Sequence, residues 1–348
     1  MRLDADNIGL IAAAVVGLAL LFGLPLVVEL FTLLQFTVYI VMAILALSLA
    51  LIWGFGGILC FGQAVFFGLG AYAYTIAVFN MGESTVPVLL SIVVPAAFAA
   101  ALGYFMFYGR LSDVYMGVVT LVVTLIFFSF MNHTAGEEYR IGAARLGGFN
   151  GIPAIPPINM PGDPGRVLWP EEMYYVAMGA LLAIYLGLRL LLRSHFGRVI
   201  VAIRENETRA ELLGYDVRLH KLLIFSIGGA IAGLAGCLFA NWNAFVDPTV
   251  FGLGQTAQII IWVIVGGLGT LIGPVIGAML LQYITTWLGT VEVANSSLVM
   301  GAILVVFVLL VPRGLVPTLQ LLWQKFRGGR SEPGIVATPR EAVESGDD

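Results

Sequence analysis

The sequence predicts an all-α polytopic membrane protein with about ten transmembrane helices, some of them short or broken by glycine. Of the 348 residues, 59% are hydrophobic and 11% are charged, whereas soluble domains carry about 25% charged residues. Apolar runs of about 20 residues, the length that crosses a bilayer, recur along the chain. Basic residues are concentrated in alternate connections between these runs. A soluble chain of this composition could not cover its core with so little polar surface.

The predicted spans follow one another along the chain, and the first is interpreted as a retained helix because it makes a poor signal peptide. They cover residues 8–28, 32–52, 61–80, 86–108, 114–131, 173–193, 221–240, 255–269, 271–289 and 297–312. The alternative is eight or nine spans, with some glycine-rich pieces re-entrant. With ten spans and a cytoplasmic N-terminus, the outside keeps Arg140, Arg145 and Arg166, so 14 of the 17 basic residues are cytoplasmic. The positive-inside rule favours this orientation, which also places the C-terminus in the cytoplasm.

The connections divide the chain into a transmembrane domain, residues 1–312, and a polar cytoplasmic tail, residues 313–348, which is expected to be disordered at its end. Within the domain, residues 132–172 form a periplasmic loop rich in proline and glycine, and residues 194–220 form a charged cytoplasmic loop. The tail from Ser331 holds five acidic residues and one basic residue, which leaves 16 of each in the rest of the chain. This balance argues against a nucleic-acid partner. The two cysteines and three histidines show no metal-ligand spacing, so no metal site is expected.

The stretch GFGGILCFGQAVFFGLGAY, residues 54–72, is the first candidate site. Because glycine weakens helices, it predicts a break at 54–57 and, at 68–71, a seam where small residues let helices approach closely. Gln63 lies between the two. Its amide suits either contact with a polar substrate or satisfaction of backbone groups that the break exposes. Gly57, Gly62 and Gln63 are therefore candidate residues of a substrate pathway, with helix packing as the alternative interpretation.

A second break is predicted in VGGLGTLIGPVIGA, residues 265–278. Pro274 lacks a backbone donor, and the glycines beside it let the chain bend. Gly269 and Pro274 are candidate pathway residues, and a tight turn that joins two short spans is the alternative. No ionisable residue falls clearly at mid-membrane in the predicted spans, which argues against a proton- or ion-coupled carrier.

The cytoplasmic loop contains RENETRAELLG, residues 204–214, which predicts a short helix. Asn206 suits the N-cap, Gly214 suits the C-terminal stop, and Glu205 stands four residues before Arg209, a spacing that allows an ion pair. Two interpretations stay open, a solvated loop and a helix that docks into a soluble partner. On the second, the residues that couple to an ATPase are Arg204, Glu205, Asn206, Glu207, Arg209, Glu211, Leu212, Leu213 and Gly214. The chain has no G-x-x-x-x-G-K-[ST] motif, so any ATP would bind to a separate subunit.

Four stretches, which correspond to three signatures, together resemble one family. The stretch 54–72 is similar to the glycine-rich signature of branched-chain amino acid ABC importer permeases of the LivM type, and residues 197–240 resemble that family's coupling loop and the helix after it. VGGLGTLIGPVIGAMLLQY (265–283) and LLVPRGLVP (309–317) resemble its C-terminal signature. The likeness runs from about residue 35 to 320 in the right order. It departs from the family at Cys60, where serine is usual, and at Gln63, where histidine is frequent.

This resemblance implies a transport subunit rather than an enzyme: the permease of an ATP-binding cassette importer in the bacterial inner membrane, which carries branched-chain or other hydrophobic amino acids inward. It implies a paralogous permease as heterodimer partner, two cytoplasmic ATPase subunits that bind ATP, and a periplasmic substrate-binding protein. The chain itself is expected to hold no cofactor. Urea or a short-chain amide is the alternative substrate, because such permeases share the signatures, and a secondary transporter is the alternative mechanism. An H-E-x-x-H motif and a nucleophile elbow are both absent from the sequence, which argues against a membrane-embedded enzyme.

Overall fold

The computed structural model describes residues 2–160, 163–290, 301 and 314–318. The helices are α1 (Arg2–Val27), α2 (Leu30–Leu49), α3 (Gln63–Met81), α4 (Thr85–Tyr108), α5 (Asp113–Asn132), α6 (Pro170–Arg193), α7 (His195–Glu205), α8 (Glu207–Leu212), α9 (Val217–Asn243), α10 (Leu253–Gly266) and α11 (Ile272–Thr290). A π-helical segment, Ala50–Phe55, continues α2, and 3₁₀ turns cover Gly148–Asn150 and Pro248–Phe251. The strands are β1 (Arg140–Ile141), β2 (Ala144–Arg145), β3 (Ile152–Pro153), β4 (Asn159–Met160), β5 (Asp163–Val167) and β6 (Phe245–Val246).

Seven helices in the described part of the chain are long and apolar enough to cross a membrane. They are α2 with its extension to Phe55, α3, α4, α5, α6, α9 and α11. The apolar part of α1, Ile11–Val27, and the whole of α10 are shorter apolar helices. Each of the first nine predicted spans therefore overlaps one helix, and the tenth, 297–312, lies outside the described residues. The all-α polytopic fold is confirmed.

The core forms around α2, whose residues 37–49 are all buried. Helix α2 packs against α6, α9 and α11, while α9 runs along both α3 and α4. A helix that is apolar on every side, as LFTLLQFTVYIVMAILALSL is, is stable only when other apolar groups surround it. Helices α4 and α5 instead expose apolar side chains such as Val93, Phe105 and Ile126, which suits a surface that meets lipid.

Glycine lets α3 and α9 cross with their backbones in contact. A Cβ atom on Gly70 would lie 2.1 Å from the carbonyl oxygen of Gly233, and one on Gly236 would lie 1.9 Å from that of Phe67. Neither distance is possible for real atoms, so only glycine fits at these positions. The predicted seam at 68–71 therefore has a defined partner in α9.

The loop between α5 and α6 folds back over the ends of α3 and α4. Strand β3 pairs with β6 across the long interval between Ile152 and Val246, while β1–β2 and β4–β5 are local antiparallel pairs. Tyr74 donates its hydroxyl proton to the Pro156 carbonyl at 3.1 Å. The Ser84 amide donates to the side-chain oxygen of Asn159 at 3.0 Å. These bonds fix the loop to the bundle end that the sequence places outside.

Candidate functional site

The chain breaks between α2 and α3 because the last turns of α2 widen. The amide of Gly56 donates to the Leu51 carbonyl, that of Gly57 to Trp53, and that of Ile58 to Ile52, at 3.0, 3.1 and 3.1 Å. None of these three bonds is accepted by the carbonyl of Gly54, which in an α-helix would accept from the amide of Ile58.

After the widened turns, Gly57 takes a left-handed φ of +69°, and the chain stays non-helical until α3 begins at Gln63. The break thus covers residues 56–62 and starts two residues later than the sequence predicts.

The broken segment lies against α5. The Phe61 amide donates to the hydroxyl of Thr120 at 3.1 Å. A Cβ atom on Gly62 would lie 2.4 Å from the Thr120 carbonyl oxygen, so this position requires glycine. Non-helical backbone at membrane depth is stable only where protein or water satisfies it, and Thr120 satisfies the Phe61 amide.

Gln63 is buried, with 2% of its surface exposed. Its amide nitrogen donates to the Ser48 hydroxyl at 2.7 Å and to the Gly228 carbonyl at 3.3 Å. Its amide oxygen lies 3.8 Å from the sulfur of Cys60, so the two positions that depart from the family signature contact each other. This geometry supports the interpretation that Gln63 joins α2, α3 and α9, and contact between Gln63 and a substrate stays a prediction.

The second break is a turn between α10 and α11. Helix α10 ends at Gly266, and Gly267 and Gly269 have φ angles of +113° and +83°. Pro274 lies in the first turn of α11, where a helix does not need its missing amide donor. The local geometry is that of the alternative interpretation, a tight turn that joins two short spans, and a role for Gly269 and Pro274 in a pathway stays untested.

The loop that is predicted to be cytoplasmic, residues 194–220, contains two consecutive helices, α7 and α8. The short helix predicted after Arg204 is α8. Asn206 caps it by accepting the Arg209 amide at 2.8 Å, and Gly214 ends it with a φ of +87°. Helix α7 was not expected from the sequence, although the apolar spacing of Val199, Ile200 and Ile203 indicates it.

The predicted ion pair between Glu205 and Arg209 is wrong. Asn206 has an extended backbone, with φ −161° and ψ 101°, and separates α7 from α8. Glu205 and Arg209 therefore lie on different helices, and Glu205 pairs with Arg204 instead. On the other side of α8, the Glu207 carboxylate accepts from the ammonium group of Lys221 in α9 at 2.5 Å.

A small apolar cluster makes the loop one packed unit. Val199 and Ile203 of α7, Ala210 of α8 and Val217 of α9 are buried together, with Tyr215 packed against them. A loop that is solvated on all sides would not bury such a cluster. Leu212 and Leu213 point away from it and are 84% and 72% exposed.

Arg204 joins this loop to both breaks. Its Nη1 donates to the carbonyl of Gly54 at 2.6 Å. A Cβ atom on Gly57 would lie 2.7 Å from Arg204 Cγ, and one on Gly269 would lie 3.9 Å from Arg204 Nη1. The glycine breaks, which are more than 200 residues apart in the sequence, thus meet at one side chain of the loop. The sequence gives Arg204 and Gly54 no signal as partners, since 150 residues separate them.

A cavity of about 430 Å³ opens at the other end of the bundle, between α2, α9 and α11. Its lining is aromatic, aliphatic and polar without charge, and includes Gln35, Tyr39, Trp242, Gln282 and Thr286. The Trp242 indole donates to the Leu34 carbonyl at 2.8 Å, which holds α9 against α2 beside the cavity. The sequence did not single out these residues, because isolated glutamines in apolar runs carry no recognisable pattern.

The apolar helices define a class, a multi-pass membrane protein. A sequence profile of the family described as "Branched-chain amino acid transport system / permease component" matches residues 29–308. The chain belongs to this family of ABC-type permeases, as its sequence signatures predicted. Family membership and the apolar helices indicate a multi-pass protein of the inner membrane, and permeases of ABC importers work in general with ATPase and substrate-binding partners.

Individual relatives fall into more than one transport system. The "High-affinity branched-chain amino acid transport system permease protein LivM" of Escherichia coli (strain K12) is 28% identical over 310 residues, which cover 81% of this chain and 69% of the relative. The "Ribose import permease protein RbsC" of the same strain is 28% identical over 241 residues, 66% of this chain and 69% of the relative. The "Autoinducer 2 import system permease protein LsrC" of Enterobacter sp. (strain 638) is 34% identical over 117 residues, 32% of this chain. No solved structure matches the chain significantly.

Proposed function

We propose that the chain is the permease subunit of an importer that moves branched-chain or other hydrophobic amino acids inward, driven by ATP hydrolysis in separate subunits. Its proposed partners are a paralogous permease, two cytoplasmic ATPase subunits that hold the ATP, and a periplasmic substrate-binding protein. In this assembly both termini and the loop that carries α7 and α8 face the cytoplasm. The observation that carries the proposal is the pair of exposed leucines on a packed cytoplasmic helix.

Leu212 and Leu213 support docking of a soluble partner. They lie at the end of α8, outside the spans, with 84% and 72% of their surfaces exposed. Burial of each side chain against a partner would stabilise the complex by about 1.5–3 kcal/mol. Two adjacent exposed apolar side chains also offer a partner a contiguous apolar surface. Glu207, Arg209 and Glu211 surround them with charge of both signs, which can set the orientation of the partner.

The cavity between α2, α9 and α11 supports a hydrophobic amino acid as the substrate. At about 430 Å³ it falls within the usual size range of small-molecule sites, about 300–1,000 Å³. Its amide and hydroxyl groups suit the ammonium and carboxylate of a zwitterion, and Tyr39 and Trp242 suit an apolar side chain. The absence of charge from its lining residues would let a zwitterion pass without being trapped.

The proposal is tested by reconstituting the chain in proteoliposomes together with a paralogous permease, ATPase subunits and a substrate-binding protein from the same organism. Uptake of radiolabelled leucine is compared with that of urea and ribose, with ATP or a non-hydrolysable analogue inside. We expect leucine uptake that requires ATP hydrolysis and the binding protein. Preference for urea or ribose would overturn the substrate assignment. Uptake driven by a proton or sodium gradient without the ATPase subunits would overturn the mechanism.

A further inference from the structure

The carbonyl of Gly54 accepts no bond from the amide of Ile58, which would donate to it in an α-helix. The amides of Gly56, Gly57 and Ile58 donate to the carbonyls of Leu51, Trp53 and Ile52, so the π-helical end of α2 leaves the Gly54 carbonyl to a side chain. A buried carbonyl without a donor destabilises the fold. The Arg204 guanidinium supplies the donor at 2.6 Å and ties the end of α2 to α7.

The other contacts of Arg204 extend this tie. Its Nε donates to Glu205 at 3.2 Å, which orients the guanidinium plane. Its aliphatic stem covers Gly57, and Nη1 lies beside Gly269. A Cβ atom on Gly54 would in turn lie 3.1 Å from the amide nitrogen of Gly269, so the π-helical extension of α2 touches the α10–α11 turn directly under the arginine.

We propose that Arg204 is a positioning residue that transmits movement of the α7–α8 unit to both glycine breaks, and so links ATP hydrolysis to opening of the transport pathway. This inference rests on the proposed function. Helices α7 and α8 share the buried cluster of Val199, Ile203 and Ala210, so a partner that pulls on α8 displaces Arg204 with it. The Gly54 carbonyl and the α10–α11 turn then move or are released together.

The test measures leucine transported per ATP hydrolysed in the complete complex with Arg204→Met, which keeps the stem over Gly57 and removes the donors. Arg198→Met is the matched control. Arg198 lies in the same helix and also donates to a backbone carbonyl, that of Arg193 at 2.7 Å, but not at a break. We expect a roughly tenfold or larger fall in the transport-to-hydrolysis ratio for Arg204→Met, the effect of one lost charge-assisted bond, and no change for Arg198→Met.

A second variant keeps the inference falsifiable if Arg204→Met yields no folded protein. Arg204→Lys retains one donor for the Gly54 carbonyl and should give a ratio between those of the wild type and the methionine variant. A wild-type ratio in Arg204→Met, or in Arg204→Lys if only that variant folds, or an equal fall in Arg198→Met, would overturn the inference. If the wild-type complex itself shows no ATP-driven leucine uptake, the proposed function fails instead, and the two failures are thereby distinguished.

Discussion

Substitution of Gly57 by alanine tests the contact between the first break and the loop that carries α7 and α8. Gly57 has a φ of +69°, and so does Gly82 at the C-terminal end of α3. Their surroundings differ. A Cβ atom on Gly57 would lie 2.7 Å from Arg204 Cγ and 3.2 Å from Arg204 Cβ, whereas one on Gly82 meets nothing within 4 Å. Gly82→Ala is therefore a control with the same backbone strain and no neighbour.

The expected free energies follow from these geometries. Both variants force an L-residue into the left-handed region, which costs about 1–2 kcal/mol. In Gly57→Ala the Arg204 side chain must also move away, which lengthens its 2.6 Å bond to Gly54. A hydrogen bond to a charged group contributes about 1.5–3 kcal/mol. Because 32% of the arginine side chain is exposed, we expect the lower end, about 1.5 kcal/mol.

Thermal unfolding of the purified protein in detergent measures the loss of stability. The transport-to-hydrolysis ratio of the complex measures the effect of the weakened Arg204–Gly54 bond on transport. We expect Gly57→Ala to melt roughly 3 °C or more below Gly82→Ala and to show the lower ratio. Equal melting temperatures and equal ratios in the two variants would show that the glycine is required only for its backbone conformation and would refute the argument from Arg204.

Three further predictions concern the seam, α8 and the buried amide. Gly70→Ala should lower the melting temperature strongly because its Cβ would lie 2.1 Å from a carbonyl of α9, while Gly179→Ala, with nothing within 4 Å, should gain up to about 1 kcal/mol of helix propensity. Glu207→Lys should lower the transport-to-hydrolysis ratio by placing like charge beside Lys221, and adding Lys221→Glu should restore part of it; no recovery would mean that the ion pair is not what matters. Gln63→Ala should lower the free energy of unfolding by about 1–3 kcal/mol with an unchanged KM for leucine, and a raised KM at unchanged stability would instead place Gln63 in the substrate pathway.

Hydropathy and local sequence signals predicted most of the helices. Apolar runs gave each of the nine spans that fall on described residues, because burial in a bilayer demands apolar length more than any particular side chain. The N-cap at Asn206 and the helix end at Gly214 were also predictable from nearby residues, since both depend only on backbone groups a few residues away. The failed ion pair between Glu205 and Arg209 shows the limit, because one extended residue between two helices removes the periodicity that the prediction assumed.

The features that could not be predicted depend on tertiary contacts between distant parts of the chain. Nothing near Gln63 in the sequence indicates that Ser48 and Gly228 would accept its two donated bonds, because both partners come from other helices. The strand pair between Ile152 and Val246 and the bond between Arg204 and Gly54 likewise depend on how distant segments fold together. Such pairs follow no spacing rule, so a single sequence read by itself cannot reveal them.

The positions of the two breaks change what their glycines mean. A glycine-rich break suggests flexibility, yet Gly54 lies so close to the Gly269 amide that a Cβ atom would approach it to 3.1 Å. The absence of side chains therefore allows close packing of two backbone segments rather than free movement of either. Arg204 covers this contact and satisfies the carbonyl that the widened end of α2 leaves open. Two segments that are packed in this way move as a unit, so a displacement of the loop that carries α7 and α8 should move both breaks together and not one alone.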